Sequence, residues 1–343
     1  MGRKNTRNLN MPPSMIPRTQ RSGKVYYYLR LTGPPWREIP LGDDFILALR
    51  KYAELNTIDA PTQGATFGDV AKKYVVDALP ELKPNTAKMY RSDVKHLLAS
   101  FAHAPLDQVK PMHIKKFLTK HKAIPTTANR CKRLFSTMWN HARGWGYTDL
   151  PNPCVGIKGF SLEKRTMYIT DELFKAVHGC ASAALQNAMD LAYLTGQRPG
   201  DALRMSEHDI LNGHLIVTQG KTKQPLRIVI AGELADLLMR IRARKTGHSM
   251  VTAALLVNLQ GKRLTPAVLR NHFDEARTLA AVKHPAMAAD IKAFHFYDLR
   301  AKAADDTSDE RGDQAASDLL GHDSVKTTQR HYLRRGKIVG STK

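Results

Sequence analysis

Five side chains in the second half of the 343-residue chain have the types needed to transfer a phosphodiester. Such a transfer, carried out without a cofactor, needs a nucleophile, cations for the charge of a phosphorane-like transition state, and an acid for the leaving oxygen. Tyr332, in DLLGHDSVKTTQRHYLRR, is the candidate nucleophile, and His322 stands ten residues before it. Arg198, in TGQRPGDALRM, and Arg300, in FHFYDLRAKAADD, are candidates for holding the phosphate oxygens, because a guanidinium binds two of them in one planar fork. Lys221, in VTQGKTKQPLRIVI, is the candidate acid, since a lysine whose pKa is lowered by its site can protonate a leaving alkoxide.

Taken singly, most of these residues have plainer explanations. Gly196 ends one helix and Pro199 suits the first position of the next, so Arg198 lies at a helix N-terminal junction that favours anions. Asp201, three residues on, could orient Arg198 by a hydrogen bond, but an ordinary helix start with a capping carboxylate explains the segment equally well. Lysines such as Lys221 are common in exposed turns, and Arg300 alone reads as a solvated arginine on an alanine-rich helix. A lone tyrosine before a basic pair is most often a half-buried packing residue. The LLGH turn, the polar helix SVKTTQR and Tyr332 together are much more specific.

The elements that must position these residues can be read from the periodicity. Between Ser14 and Leu41, strand-like runs (SMIPRTQ, VYYYLRL, WREIPLG) alternate with turn signals, which predicts a small three-stranded sheet. DDFILALRKYAEL follows as a short helix packed on that sheet. From Thr66 to about Pro153 the pattern becomes amphipathic helices, in TFGDVAKKYVVDAL, NTAKMYRSDVKHLLASF, VKPMHIKKFLTKH and PTTANRCKRLFSTMWNHARGWG, with lysine and arginine recurring on their polar sides. Beyond Phe160, helices at TDELFKAV and SAALQNAMDLAYLTG flank a hairpin at HLIVTQGKTKQPLRIVI. The expected class is mainly α, multidomain α+β, divided at 1–60, 66–155 and 160–343.

Composition narrows the partners. Lysine and arginine total 53 against 31 aspartate and glutamate, a formal charge of +22, which attracts polyanions and predicts steeply salt-dependent binding to nucleic acid. Cys131, Cys154 and Cys180 are odd in number and lack the spacing of a zinc site, so a reducing cytoplasm is expected, near the nucleoid. No apolar run approaches the length of a membrane span, and no membrane partner is expected. The N-terminus MGRKNTRN matches the loose myristoylation pattern through Gly2 and Thr6, although a basic tail is the preferred reading.

The order TGxRxxD, hairpin lysine, DLR, then LLGH with a following tyrosine resembles the catalytic domain of the tyrosine recombinase or phage integrase family. The helices from Thr66 resemble that family's core-site-binding domain, and the N-terminal sheet and helix its arm-site-binding domain. The resemblance implies a site-specific DNA recombinase in which Tyr332 forms a covalent 3′-phosphotyrosyl link and releases a 5′-hydroxyl that attacks the partner strand. Arg198 and Arg300 would hold the non-bridging oxygens, Lys221 would protonate the 5′-oxygen, His322 would donate a hydrogen bond to the phosphate, and Asp201 would support them. It further implies no metal or other cofactor, double-stranded DNA attachment sites clamped by the core-binding and catalytic domains, and a homo-tetramer on DNA. Expected auxiliary partners are a host bending factor or an excisionase, with the C-terminal RRGKIVGSTK docking on a neighbouring protomer. The biological outcome would be integration, and in some cases excision, of a phage or other mobile element.

Two positions depart from the family pattern. Where a histidine usually stands three residues before the second arginine, this chain has Tyr297, with His295 two residues further back and, in an extended segment, on the same side. Tyrosine can hydrogen-bond a phosphate, but with an ordinary pKa near 10 it is a poor base at neutral pH. The spacing of ten from His322 to Tyr332 exceeds the common nine and puts His331 at the usual nucleophile position. Histidine would give a labile phosphoramidate, so Tyr332 is preferred, with the extra residue taken up in the intervening turn. Three other readings stay open: a type IB topoisomerase-like enzyme, a catalytically silent DNA-binding factor derived from a recombinase, and a basic RNA-binding structural protein.

Overall fold

The computed structural model describes residues 11–12, 14–30, 37–56, 64–247, 252–336 and 340–342. Gly2 and Thr6 of the myristoylation pattern, and part of the C-terminal tail, lie outside the described residues. The chain divides into two units, Met1–Glu163 and Lys164–Lys343.

In the first unit, strands β1 (Met15–Thr19), β2 (Val25–Arg30) and β3 (Glu38–Gly42) form an antiparallel sheet in that order. Ile16 pairs with Tyr28 and Leu29 with Ile39, with a bulge between Tyr27 and Tyr28. Helix α1 (Phe45–Asn56) starts where the Asp44 carboxylate accepts the Leu47 N–H. It helps close a small core of Met15, Leu29, Leu41 and Ala48.

The helices expected from Thr66 onward are α2 (Phe67–Asp77), α3 (Pro84–Phe101), α4 (Pro111–Lys120) and α5 (Pro125–Gly144). Thr66 and Asp69 form a reciprocal capping box at the start of α2, satisfying two backbone donors that helix geometry leaves unpaired. Proline at the first turn of α3, α4 and α5 costs no hydrogen bond there. Phe67, Phe135 and Trp139 stack in the bundle, Phe67 and Phe135 nearly parallel at 4.4 Å, and Phe101 meets Phe67 edge-on. The fully buried Asp93 is matched by a two-pronged ion pair to Arg130, while Lys88, Arg91, Lys95, Lys115, Lys116, Lys120 and Arg133 remain exposed.

The second unit begins with α6 (Asp171–His178), α7 (Ala183–Thr195) and the single turn α8 (Pro199–Ala202). A second antiparallel sheet follows, β4 (Ile210–Leu211), β5 (His214–Thr218) and β6 (Pro225–Val229), in which β5 and β6 form the expected hairpin with Val217 opposite Leu226. Helices α9 (Gly232–Thr246), α10 (Pro266–Lys283), α11 (Ala288–Ala293), α12 (Leu299–Leu320) and α13 (Val325–His331) complete it, α12 being interrupted at Gly312. Leu185, Met189, Leu215, Leu237, Phe273, Phe294 and Leu299 belong to its core. The chain is thus mainly helical with two small sheets, as its periodicity predicts. No helix among the described residues is long and apolar enough to cross a membrane.

Candidate active site

Helix α7 stops at Gly196, whose φ of 62° is costly for a residue with a side chain, and whose missing Cβ would lie 3.1 Å from Leu319 and Leu320. The chain then turns so that Arg198 sits just before α8. Because α8 is one turn long, its field is small, and Arg198 is fixed by side-chain contacts more than by a helix terminus.

The expected hydrogen bond from Arg198 to the Asp201 carboxylate does not form. The two approach only to 3.9 Å, because Asp201 turns its other oxygen to the Gly220 N–H at 2.9 Å and to Arg204. Arg198 Nη1 donates instead to Gln219 Oε1 at 2.7 Å. Asp201 therefore ties α8 to the hairpin and supports Arg198 only indirectly.

Arg300, one residue into α12, is 97% buried. Its Nη1 donates to the Gly196 carbonyl at 2.7 Å and its Nη2 to the Leu320 carbonyl at 2.7 Å, and Nη2 also lies 3.1 Å from His322 Nε2. Burial and the positive charge of Arg198 push its pKa down to about 10. It makes no ion pair with any carboxylate among the described residues. A buried guanidinium held by neutral carbonyls lacks its counter-charge, which is costly in a low-dielectric site.

His322 follows Gly321, the left-handed residue ending α12, so the LLGH segment is a helix stop that turns the imidazole back toward Arg300. Burial, then the charges of Arg300 and Arg198, push its pKa down to about 4, and it is neutral at pH 7. With Arg300 donating to Nε2, the tautomer consistent with the network carries its proton on Nδ1 and gives it to Thr328 Oγ1 at 2.8 Å. Thr328 is fully buried on α13 and its carbonyl accepts the Tyr332 N–H at 2.8 Å. Helix α13 runs through His331, and Tyr332 follows as its C-terminal cap.

The half-buried Tyr332 ring lies 4.9 Å from His322, and the Arg300 guanidinium sits over it at 5.2 Å, whereas His331 is exposed. Of the two adjacent residues, it is the tyrosine that the fold turns inward. Behind it, the Arg334 and Arg335 N–H groups bond the Asp305 carboxylate, and Arg334 Nη1 reaches Asp298 and the Met167 carbonyl, each at 2.8 Å. Burial opposes ionisation of Asp298, but hydrogen bonds from Arg165 and Arg334 hold its carboxyl below the usual range.

Lys221 and Tyr297 are not in this cluster. Lys221 is exposed on the turn between β5 and β6, with no polar partner among the described residues. Tyr297 is half exposed, stacked on His295 at 5.7 Å with Arg165 over its ring at 5.4 Å. The segment is not extended as expected: Phe296–Asp298 is a turn of 3-10 helix, and it is this turn that sets the two rings together. Burial, then the Arg165 charge, keeps the His295 imidazole below its ordinary pKa. Tyr297 and His295 line a pocket of about 540 Å³ with Pro199, Gly200 and Arg277. No group of three His, Cys, Asp or Glu side chains that could hold a metal occurs among the described residues.

Sequence reasoning missed Gln219, Thr328 and the Asp298–Arg334 pair. Gln219 left a signal: Leu215 and Val217 face inward on β5, and the same two-residue period carries a polar side chain inward at 219. Asp298 and Arg334 are 36 residues apart, and no local pattern links them.

Residues 168–337 match the profile of the phage integrase family, and residues 66–122 that of the phage integrase N-terminal SAM-like domain. The integrase of Escherichia phage HK022 is 26% identical over 269 residues, 75% of this chain and 72% of that protein. The integrase of Escherichia phage lambda is 24% identical over 262 residues, with the same coverage. Among solved structures, a lambda integrase tetramer bound to a Holliday junction superposes with a TM-score of 0.70 at 21% identity, covering 97% of this chain and 99% of that one. A Tn1549 transposon integrase in complex with transposon right end DNA gives 0.65 at 14% identity, over 80% and 96%. The chain belongs to the phage integrase family and is a tyrosine-type site-specific recombinase.

Proposed function

We propose that Tyr332 is the nucleophile of this recombinase and that Arg198, Arg300 and His322 form the seat of the scissile phosphate. The observation that carries this reading is the buried Arg300 guanidinium with no carboxylate partner among the described residues, set over the ring of Tyr332 and beside Arg198. A phosphodiester supplies the negative charge that this cluster lacks, and it does so within reach of a hydroxyl. Tyr332 Oη attacks phosphorus and releases its proton to solvent, the bond to the 5′-oxygen breaks, and Lys221 hands that oxygen a proton as the hairpin closes on the substrate. The 3′-phosphotyrosyl link keeps the free energy of the diester, so the 5′-hydroxyl of a second strand can reverse the step. His322, neutral when the site is empty, gains a proton more readily beside an anionic phosphate and then donates to it. Tyr297 takes the usual histidine's place as a hydrogen-bond donor, with His295 stacked against it.

The substrate is duplex DNA at paired attachment sites. The net charge of +22 and the exposed lysines of α3 and α4 support this, as do the lambda integrase structures solved as a dimer on a core site and a tetramer on a Holliday junction. By the same likeness, the active assembly is a tetramer on DNA; the resemblance of the motifs to the family adds a bending factor or an excisionase as its helper. Residues 1–60 serve as the arm-site domain, 66–155 as the core-site domain and 160–343 as the catalytic domain. The protein works in the cytoplasm, where the DNA lies.

The direct test is a nicked attachment-site duplex that traps the covalent complex. Wild type forms a protein–DNA adduct and Tyr332→Phe forms none while binding DNA nearly as well. A normal adduct yield from Tyr332→Phe overturns the assignment. Joining of two sites distinguishes recombination from simple relaxation of supercoiled plasmid.

A further inference from the structure

The side chain of Gln219 is fully buried at the end of β5, and both atoms of its amide are used twice. Its Oε1 accepts from Arg198 Nη1 at 2.7 Å and from Thr222 Oγ1 at 2.7 Å. Its Nε2 donates to Gln197 Oε1 and to the Leu320 carbonyl, both at 2.8 Å. The Leu320 carbonyl also accepts from Arg300 Nη2, and Leu320 stands two residues before His322. One amide thus joins the N-terminal side of α8, the hairpin turn next to Lys221, and the end of α12.

A polar group in this position is costly unless every bond is made, so the amide has one orientation that satisfies the site. The packing leaves little room for another: a Cβ at Gly321 would lie 2.9 Å from Gln219 Nε2. The hairpin is also tied down by the bond from the Gly220 N–H to Asp201. Lys221 therefore stands free on a turn whose two flanking residues, Gly220 and Thr222, are both anchored toward the arginines.

We infer that Gln219 is a positioning residue that holds Arg198 in its phosphate-binding orientation and sets the Lys221 turn in register with Arg198 and Arg300. The inference rests on the strand-transfer reading above for its chemical meaning. The geometry makes the hairpin and the arginines one mechanical unit: when a phosphate draws Arg198, the acid-bearing turn is drawn with it. A misplacement of about 1 Å at such a group costs on the order of 100-fold in rate.

The test compares Gln219→Met, which keeps the length and removes all four bonds, with wild type and with Leu237→Ala, a substitution in the core of the same unit chosen to lower stability without touching the network. Single-turnover cleavage is measured well below the melting temperature of each. Gln219→Met is expected to cleave about 10- to 100-fold more slowly with DNA affinity nearly unchanged, and Leu237→Ala at the wild-type rate. On a DNA whose leaving 5′-oxygen is replaced by sulfur, the thiolate departs without a proton, and most of the Gln219→Met loss should be recovered. Equal loss on both substrates overturns the coupling to Lys221. Amide exchange of residues 220–224 in the DNA-free protein is expected to quicken in Gln219→Met and not in Leu237→Ala. Unchanged exchange overturns the positioning role whether or not wild type cleaves, while faster exchange with no wild-type adduct overturns only the strand-transfer reading.

Discussion

In the proposed strand transfer the arginine–histidine–tyrosine cluster and the hairpin lysine act together, yet the fold treats them in opposite ways. Arg300 and Thr328 are buried and bonded to carbonyls and side chains of the same unit, and His322 is held between them. Lys221 is exposed with its ammonium unpartnered among the described residues. Groups that stabilise charge gain most from being fixed before the substrate arrives, because no reorganisation is then needed at the moment of reaction. An acid on a turn can wait in water, where its charge costs nothing, and join the site only when the phosphate is present. The price of the first arrangement is visible in the depressed pKa values of Arg300 and His322, which burial lowers first and the neighbouring arginine charges lower further.

The contrast can be broken most decisively at Arg300. Arg300→Ala is expected to slow cleavage by about 10³-fold, in line with the loss of a preorganised oxyanion donor, and to weaken the fold because the Gly196 carbonyl loses its bond from Arg300 and the Leu320 carbonyl keeps only the one from Gln219. Single-turnover adduct formation checks the first effect and a thermal melt the second. Little effect on either would show that the buried guanidinium is not the centre of the site.

Next in size is Lys221→Ala, expected to slow cleavage by about 10²-fold while leaving the melt within error of wild type, since the side chain is exposed and has no polar partner among the described residues. A marked fall in melting temperature would contradict the division between a buried seat and an exposed acid.

The smallest effect concerns pH. His322 titrates at about 4 in the native protein against an ordinary value of 6.5, so the unfolded chain binds this proton first as the pH falls. Its contribution to stability is complete above about pH 6.5 and is lost progressively between 6.5 and 4. Urea melts of wild type and His322→Asn at several pH values should therefore converge across that window. Parallel curves would mean that the imidazole is less confined than its contacts with Arg300 and Thr328 indicate.

Much of this molecule was legible in local pattern. The helices of both units, the β5–β6 hairpin and the junction at Gly196–Pro199 follow from apolar spacing and from glycine and proline, because those signals act within a few residues. The placement of Tyr297 and the partner of Arg198 were not. A turn of 3-10 helix replaced an extended segment at Phe296–Asp298, and Gln219 took the role expected of Asp201, because competition among hydrogen-bond partners is decided by which groups packing brings together.

The sequence by itself determined the types and order of the groups proposed to react, the basic charge that draws them to DNA, and the secondary structure carrying each. Only the tertiary structure decided that Tyr332 and not His331 faces Arg300, that Lys221 stands apart, and that a buried glutamine joins the hairpin to the arginines. Those outcomes depend on contacts between residues 20 to more than 100 positions apart, and such contacts exist only once the core has closed.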